Sequence, residues 1–72
     1  MTKQEAAQEL FYWQFGDGSN YLSMLFTLRG KADLVNKARL ELAYPVEMEI
    51  YQEWYDAASP EEFYREYDLD GR

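Results

Sequence analysis

The sequence predicts an all-α protein, a compact bundle of four to five short helices that forms a single domain over residues 1–72. Three observations lead there. Helix-start signals recur, at Thr2 with Glu5, at Ser19-Asn20 and at Ser59-Pro60-Glu61-Glu62. Glycine and proline punctuate the chain at Gly16, Gly18, Gly30 and Pro45. Between these breaks apolar residues return every three or four positions, the helical period. The connections are too short for a second domain, which makes consecutive helices antiparallel neighbours.

The first helix is expected over about residues 3–15. Thr2 and Glu5 have capping-box spacing, Ala6, Leu10 and Trp13 share one stripe, and Ala7, Phe11 and Phe15 share another. Gly16 stops it, and Gly16-Asp17-Gly18 makes a turn. Ser19 or Asn20 caps the next segment, Tyr21 to Leu28, which is apolar almost all round. Periodicity alone leaves helix and strand open here, whereas Leu and Met favour helix and no partner strand is visible. A helix apolar on every side must be covered on several sides, either at the centre of the bundle or in a dimer face. Arg29 and Lys31 around Gly30 suit a helix C-terminus.

A third helix is expected from Ala32 or Asp33 to Ala43, burying Leu34, Val35, Ala38 and Leu42, with Lys37 pairing to Glu41. Pro45 breaks the chain at Tyr44 and opens the fourth helix. In that helix Val46, Ile50, Trp54 and Ala57 form the buried stripe, flanked by Tyr51 and Tyr55, and Glu49, Glu53 and Asp56 lie opposite. Ser59, Pro60 and Glu62 start a short fifth helix ending near Tyr67, and the tail from Asp68 to Arg72 is expected to fray.

Composition bounds the chemistry. There is no Cys and no His, so disulfides, zinc-binding thiolates and the commonest neutral-pH base are all missing. Ser19, Ser23 and Ser59 have no histidine to activate them, and five short helices leave little room for a carboxylate-lined pocket. Catalysis and cofactors are therefore not expected. Glu66, Asp68, Asp70 and Gly71 echo the opening of a calcium loop, but the later ligands of such a loop are missing. No apolar run reaches the ~18 residues of a membrane span, and no apolar core follows Lys3 as in a signal peptide. Absence of cysteine fits a reducing cytoplasm.

The net charge is −7 and is unevenly placed. Up to residue 40, Lys3, Arg29, Lys31, Lys37 and Arg39 outweigh Glu5, Glu9, Asp17 and Asp33 by one. Beyond it, ten carboxylates face only Arg65 and Arg72. Direct nucleic-acid binding needs clustered positive charge and is not expected. A basic protein partner is compatible with the acidic half.

The middle of the chain resembles small uncharacterised helical proteins encoded by bacteriophages and prophages. The resemblance rests on Gly18-Ser19 with Tyr21, Leu25 and Phe26, then Lys31-Ala32-Asp33 with Asn36, Arg39 and Leu40, then Tyr44-Pro45 with Glu47, Tyr51 and Trp54. It spans roughly residues 16–55 and implies a mobile-element setting, with no catalytic residue attached.

From the residues, the candidate partner face is acidic and tyrosine-rich: Glu47, Glu49, Glu53, Asp56, Glu61, Glu62 and Glu66, with Tyr44, Tyr51, Tyr55, Tyr64 and Tyr67. Carboxylates there suit a basic groove or imitate the charge of nucleic acid, and a plain solvated face is the alternative. Five tyrosines exceed what one small core is expected to hold, and tyrosine is favoured at interface hot spots; packing at the core edge with the hydroxyls to water is the alternative. The expected function is a non-enzymatic protein-binding module, with self-association through the helix at residues 21–28 as the alternative.

Overall fold

Five helices follow one another in the computed structural model, which describes residues 1–69: α1 (Lys3–Phe15), α2 (Tyr21–Lys31), α3 (Leu34–Ala43), α4 (Pro45–Asp56) and α5 (Pro60–Glu66). The chain is all-α, and no strand occurs among the described residues. α1 opens with a complete capping box. The Thr2 hydroxyl accepts from the Glu5 N–H (3.1 Å), and the Glu5 carboxylate accepts from the Thr2 N–H (2.8 Å). That bond, made to the ionised form, holds the Glu5 carboxyl below its ordinary value.

α1 ends where the sequence places its stop. The Gly16 N–H donates to Tyr12 O at 2.7 Å, and a Cβ on Gly16 would lie 2.7 Å from the same carbonyl. Only glycine allows that approach. Asn20, Asp33 and Ser59 each accept from the backbone N–H three residues on and so cap α2, α3 and α5. α2 is a helix and runs past the expected end at Leu28 to Lys31. Gly30 thus lies inside its last turn, where a Cβ would come 3.2 Å from the Tyr51 hydroxyl of α4.

The end of α5 differs from the expected fray. Asp68 adopts φ 60°, the Asp68 N–H donates to Arg65 O (3.0 Å), and the Leu69 N–H donates to Tyr64 O (2.8 Å). This is a Schellman termination with aspartate in the left-handed position that glycine usually fills. Leu69 folds back onto the core. Asp70, Gly71 and Arg72, and with them half of the calcium-loop echo and the rest of the expected fray, lie outside the described residues.

α1 packs on α2 and α4, while α3 and α5 attach to α4. The core joins Ala6, Ala7 and Leu10 of α1 to Phe26 of α2, Ile50 and Tyr51 of α4, and Phe63 and Tyr64 of α5. The two alanines bring the α1 backbone close, and aromatic rings fill the space beyond. Trp13 meets Trp54 edge-on at 5.4 Å, and Phe11 meets Tyr64 edge-on at 5.0 Å, geometries the ring quadrupoles favour. Trp54, expected in the buried stripe, is only partly buried.

α3 overturns its expected stripe. Leu34 is 84% exposed, Val35 61% and Leu42 85%, Ala38 is exposed as well, and no α3 residue is fully buried. The helix instead turns Lys37 and Leu40 inward, on the side that continues to Tyr44. Apolar periodicity marks a face without fixing where it points. Here a single residue, Tyr44, separates α3 from α4, and that junction sets the rotation of α3. Nor do Lys37 and Glu41 close the expected ion pair, whereas Lys3 bridges to Glu49 and Glu53.

Candidate interaction surfaces

Two surfaces stand out, and each is built from a helix face. The first is the acidic side of α4 and α5. Glu49, Asp56, Glu61, Glu62 and Glu66 are exposed there, while Glu47 and Glu53 are half-buried. A shallow concavity of about 440 Å³ gathers Glu49, Glu53, Asp56 and Glu66 around its rim, with Phe63 also in its wall. Glu61 and Glu62 sit in the first turn of α5, where carboxylates meet the positive end of the helix dipole.

Part of this acidity is satisfied from within. Lys3, at the start of α1, reaches Glu49 and Glu53 at 2.9 Å each. Glu53 also accepts from the Tyr67 hydroxyl at 2.9 Å. The lysine, with help from the tyrosine, holds the Glu53 carboxyl below its ordinary value, and the same carboxylates hold the Lys3 ammonium above its own. Burial, reinforced by the neighbouring Glu53, raises the Tyr67 phenol to about 12. Asp56 accepts from Gln52 at 3.0 Å.

The tyrosines do not form the exposed set that composition suggested. Tyr51 and Tyr64 are buried, Tyr44 and Tyr67 are half-buried, and Tyr55 alone of the five is exposed, at 71%. Small residues make room for them. Ala6 and Ala7 draw α1 inward, and Gln14 offers its carboxamide oxygen to the Tyr64 hydroxyl (2.7 Å) and the Trp54 indole N–H (3.0 Å). The Arg29 guanidinium lies 4.8 Å from the centre of the Tyr51 ring, a cation–π contact, and donates to Gln52 at 3.1 Å. Burial raises the Tyr64 and Tyr51 phenols above the ordinary value.

The second surface was read as core in α3, and in α2 as a helix covered by the bundle or by a second copy. α2 buries Ser23, Leu25 and Phe26 but exposes Tyr21, Met24 and Leu28, to 68%, 63% and 54%. α3 adds Leu34, Val35 and Leu42. Six of the ten large apolar side chains exposed among the described residues thus lie on these two helices. The helices meet at a groove of about 310 Å³ whose walls include Leu28, Asn36, Arg39 and Leu40, and the Tyr21 and Tyr44 hydroxyls touch at their other end. The sequence did carry one signal of this face, the all-round apolar segment Tyr21–Leu28. In a domain this thin, one side of such a helix is left without cover.

For chemistry the described residues offer little. No group of three or more His, Cys, Asp or Glu side chains stands in an arrangement that holds a metal ion. No helix among them is long and apolar enough to cross a membrane. No protein-family model, no curated protein and no solved structure matches this chain.

Proposed function

We propose that this chain is a non-enzymatic protein-binding module. The observation that carries the proposal is the exposed apolar face of α2 and α3, with Leu34 and Leu42 each more than four-fifths exposed. Scattered single hydrophobics are normal on a protein surface, but Leu34, Val35 and Leu42 gather on one side of α3, and a gathered apolar patch marks an interaction site. The residue inventory points the same way, since a chain without His or Cys lacks the commonest neutral-pH base, the thiol nucleophile and the commonest transition-metal ligands.

A second reading places a basic partner on α4 and α5. The concavity rimmed by Glu49, Glu53, Asp56 and Glu66 favours it, because like charges gathered in a depression focus the field on an incoming cation. Rim charges act mainly on association rate and salt sensitivity, whereas a desolvated apolar centre supplies most of the affinity. The apolar face is therefore the primary site, and the acidic side steers. A modulator carried by a phage or other mobile element, working in the cytoplasm, is the biological setting that the resemblance suggests.

Capture from a lysate of the source cell, with three baits, tests the assignment. Leu34→Glu with Leu42→Glu should abolish capture of partners held by the wild type. Glu49→Gln, Asp56→Asn and Glu66→Gln together should leave capture intact at low salt. The opposite pattern transfers the site to the acidic side, and identical capture by all three baits overturns both assignments.

A further inference from the structure

We infer that the partner on the α3 face is a second copy of this chain, packed α3 against α3 across an antiparallel two-fold axis near Ala38. This deepens the binding-module proposal and rests on it. A two-fold interface uses the same patch on both subunits, so the patch must complement itself. The α3 stripe has that property. Leu34, Ala38 and Leu42 follow at four-residue steps along one ridge, bulky, small, bulky, and the order is the same read in either direction. Antiparallel pairing about Ala38 sets Leu34 of one copy against Leu42 of the other and alanine against alanine. The small central residue lets the two backbones approach, the geometry in which four-step ridges interlock.

Charge favours the same arrangement. With ten carboxylates in residues 41–72, most of the surface would bring acid against acid when two copies meet. The α3 stripe itself is uncharged. At its N-terminal approach the exposed Lys31 stands beside the capping Asp33, with Arg29 turned onto α4, and its C-terminal exit is acidic, through Glu41 and Glu47. An antiparallel pair brings Lys31 of each copy toward the acidic exit of the other, and a parallel pair brings the two acidic exits together. The remaining cations do not crowd the axis, since Arg39 lines the groove toward α2 and Lys37 lies on the α4 side with Tyr51, Gln52 and Tyr55.

Area sets the strength. A ten-residue helix is about 15 Å long, so one helix face falls short of the ~800 Å² per partner that a stable dimer covers. Met24 and Leu28 of α2 are exposed as well, but Asn36 and Arg39 in the wall of the groove stand between them and the stripe, so they add little to the contact. The dimer is consequently a weak one that forms and dissolves with concentration.

Sedimentation and light scattering from about 10 to about 500 µM bracket the affinities expected of a small interface. The mass should rise from 8.6 kDa toward twice that value. Leu34→Glu with Leu42→Glu, both exposed in the monomer, should hold the mass at the monomer value with an unchanged circular dichroism spectrum. Because the chain has no cysteine, Ala38→Cys gives a second and independent readout. It should form a disulfide-linked dimer readily on mild oxidation, while Gln8→Cys, exposed on α1, should not. Wild-type protein that stays monomeric throughout overturns the second copy and leaves the binding-module proposal to the lysate capture. A dimer whose mass the leucine variants do not change, or equal cross-linking at positions 8 and 38, overturns the α3 axis.

Discussion

Gln14→Met should destabilise the fold through a hydroxyl it does not itself carry. The Gln14 carboxamide oxygen accepts two hydrogen bonds, from the Tyr64 hydroxyl at 2.7 Å and from the Trp54 indole N–H at 3.0 Å. Methionine keeps the length of the side chain and removes the acceptor. The two donors fare differently. Trp54 is only partly buried, so water replaces the lost partner at little cost. Tyr64 is 2% exposed, and a buried hydroxyl left without a partner costs about 1–3 kcal/mol. The expected loss is about 2 kcal/mol. In a chain of this size each kcal/mol lowers Tm by about 4–8 °C, so thermal unfolding followed by circular dichroism should shift down by about 8–16 °C. Tyr64→Phe alone should cost less, because Gln14 keeps Trp54 as a donor. Added to Gln14→Met it should recover stability, since the stranded hydroxyl is gone. A Gln14→Met protein melting within about 2 °C of wild type, or a double variant less stable than the sum of the singles, would refute the assignment of Tyr64 as a satisfied core residue and return it to the surface.

Acid should unfold the protein partly through Glu53. Its folded pKa lies below the unfolded value of about 4.3, held there first by Lys3 and then by Tyr67. Its stabilisation is therefore complete above that value and is lost as pH falls through the folded pKa. Glu53→Gln should flatten the fall in denaturant midpoint below pH ~4.3, and an unchanged slope would assign the acid sensitivity to other carboxylates. Gly16→Ala should cost about 1–3 kcal/mol, since a methyl carbon 2.7 Å from the Tyr12 carbonyl forces the backbone to move; urea midpoints check it. Asp68→Ala should lose about 1 kcal/mol, because alanine tolerates the left-handed conformation less well than aspartate. Asp68→Gly should keep or exceed wild-type stability, and the opposite ranking would argue against the Schellman termination of α5.

What the sequence showed and hid follows from the range of the forces involved. Caps and stops are local. Thr2, Asn20, Asp33 and Ser59 act within three residues, Pro45 acts on its own neighbour, and all five helices start where those signals put them. Orientation is not local. The α3 stripe has good helical period and nothing in it says which way it points, because the turn at Tyr44 and the surface of α4 decide that. Which tyrosines enter the core was hidden for a related reason. Counting rings against an average core ignores Ala6, Ala7 and Gly30, whose missing atoms are the space that Tyr51 and Tyr64 occupy. Of the candidate site, the carboxylates were legible as a group, and four of them do meet at one concavity. Lys3, some fifty residues away in sequence, was not legible as the cation that answers Glu49 and Glu53.

α3 should also be the part of the molecule that opens first. Ten residues is below the ~12–15 at which even good sequences form a lasting helix alone, so α3 depends on tertiary contact. In the monomer that contact is slight: no α3 side chain is fully buried, and its apolar stripe faces away from α4. Regions with few buried apolar contacts open at low free-energy cost and exchange their amide hydrogens early. Amides of residues 37–43 should therefore exchange well before those of α1 and α4, whose side chains form the core. The order is informative because the two roles of α3 make different demands on it. A helix that serves only to connect α2 with α4 exchanges at the same rate at every protein concentration. A helix that docks on another copy is protected by that docking, and its exchange slows as concentration rises while that of α1 stays constant. Hydrogen exchange followed by mass spectrometry at about 10 and about 500 µM, the range over which a weak interface fills, separates the two. Slow exchange in α3 at the lower concentration would mean that α4 alone holds it, and the exposed leucines would then need no partner to explain the stability of their helix.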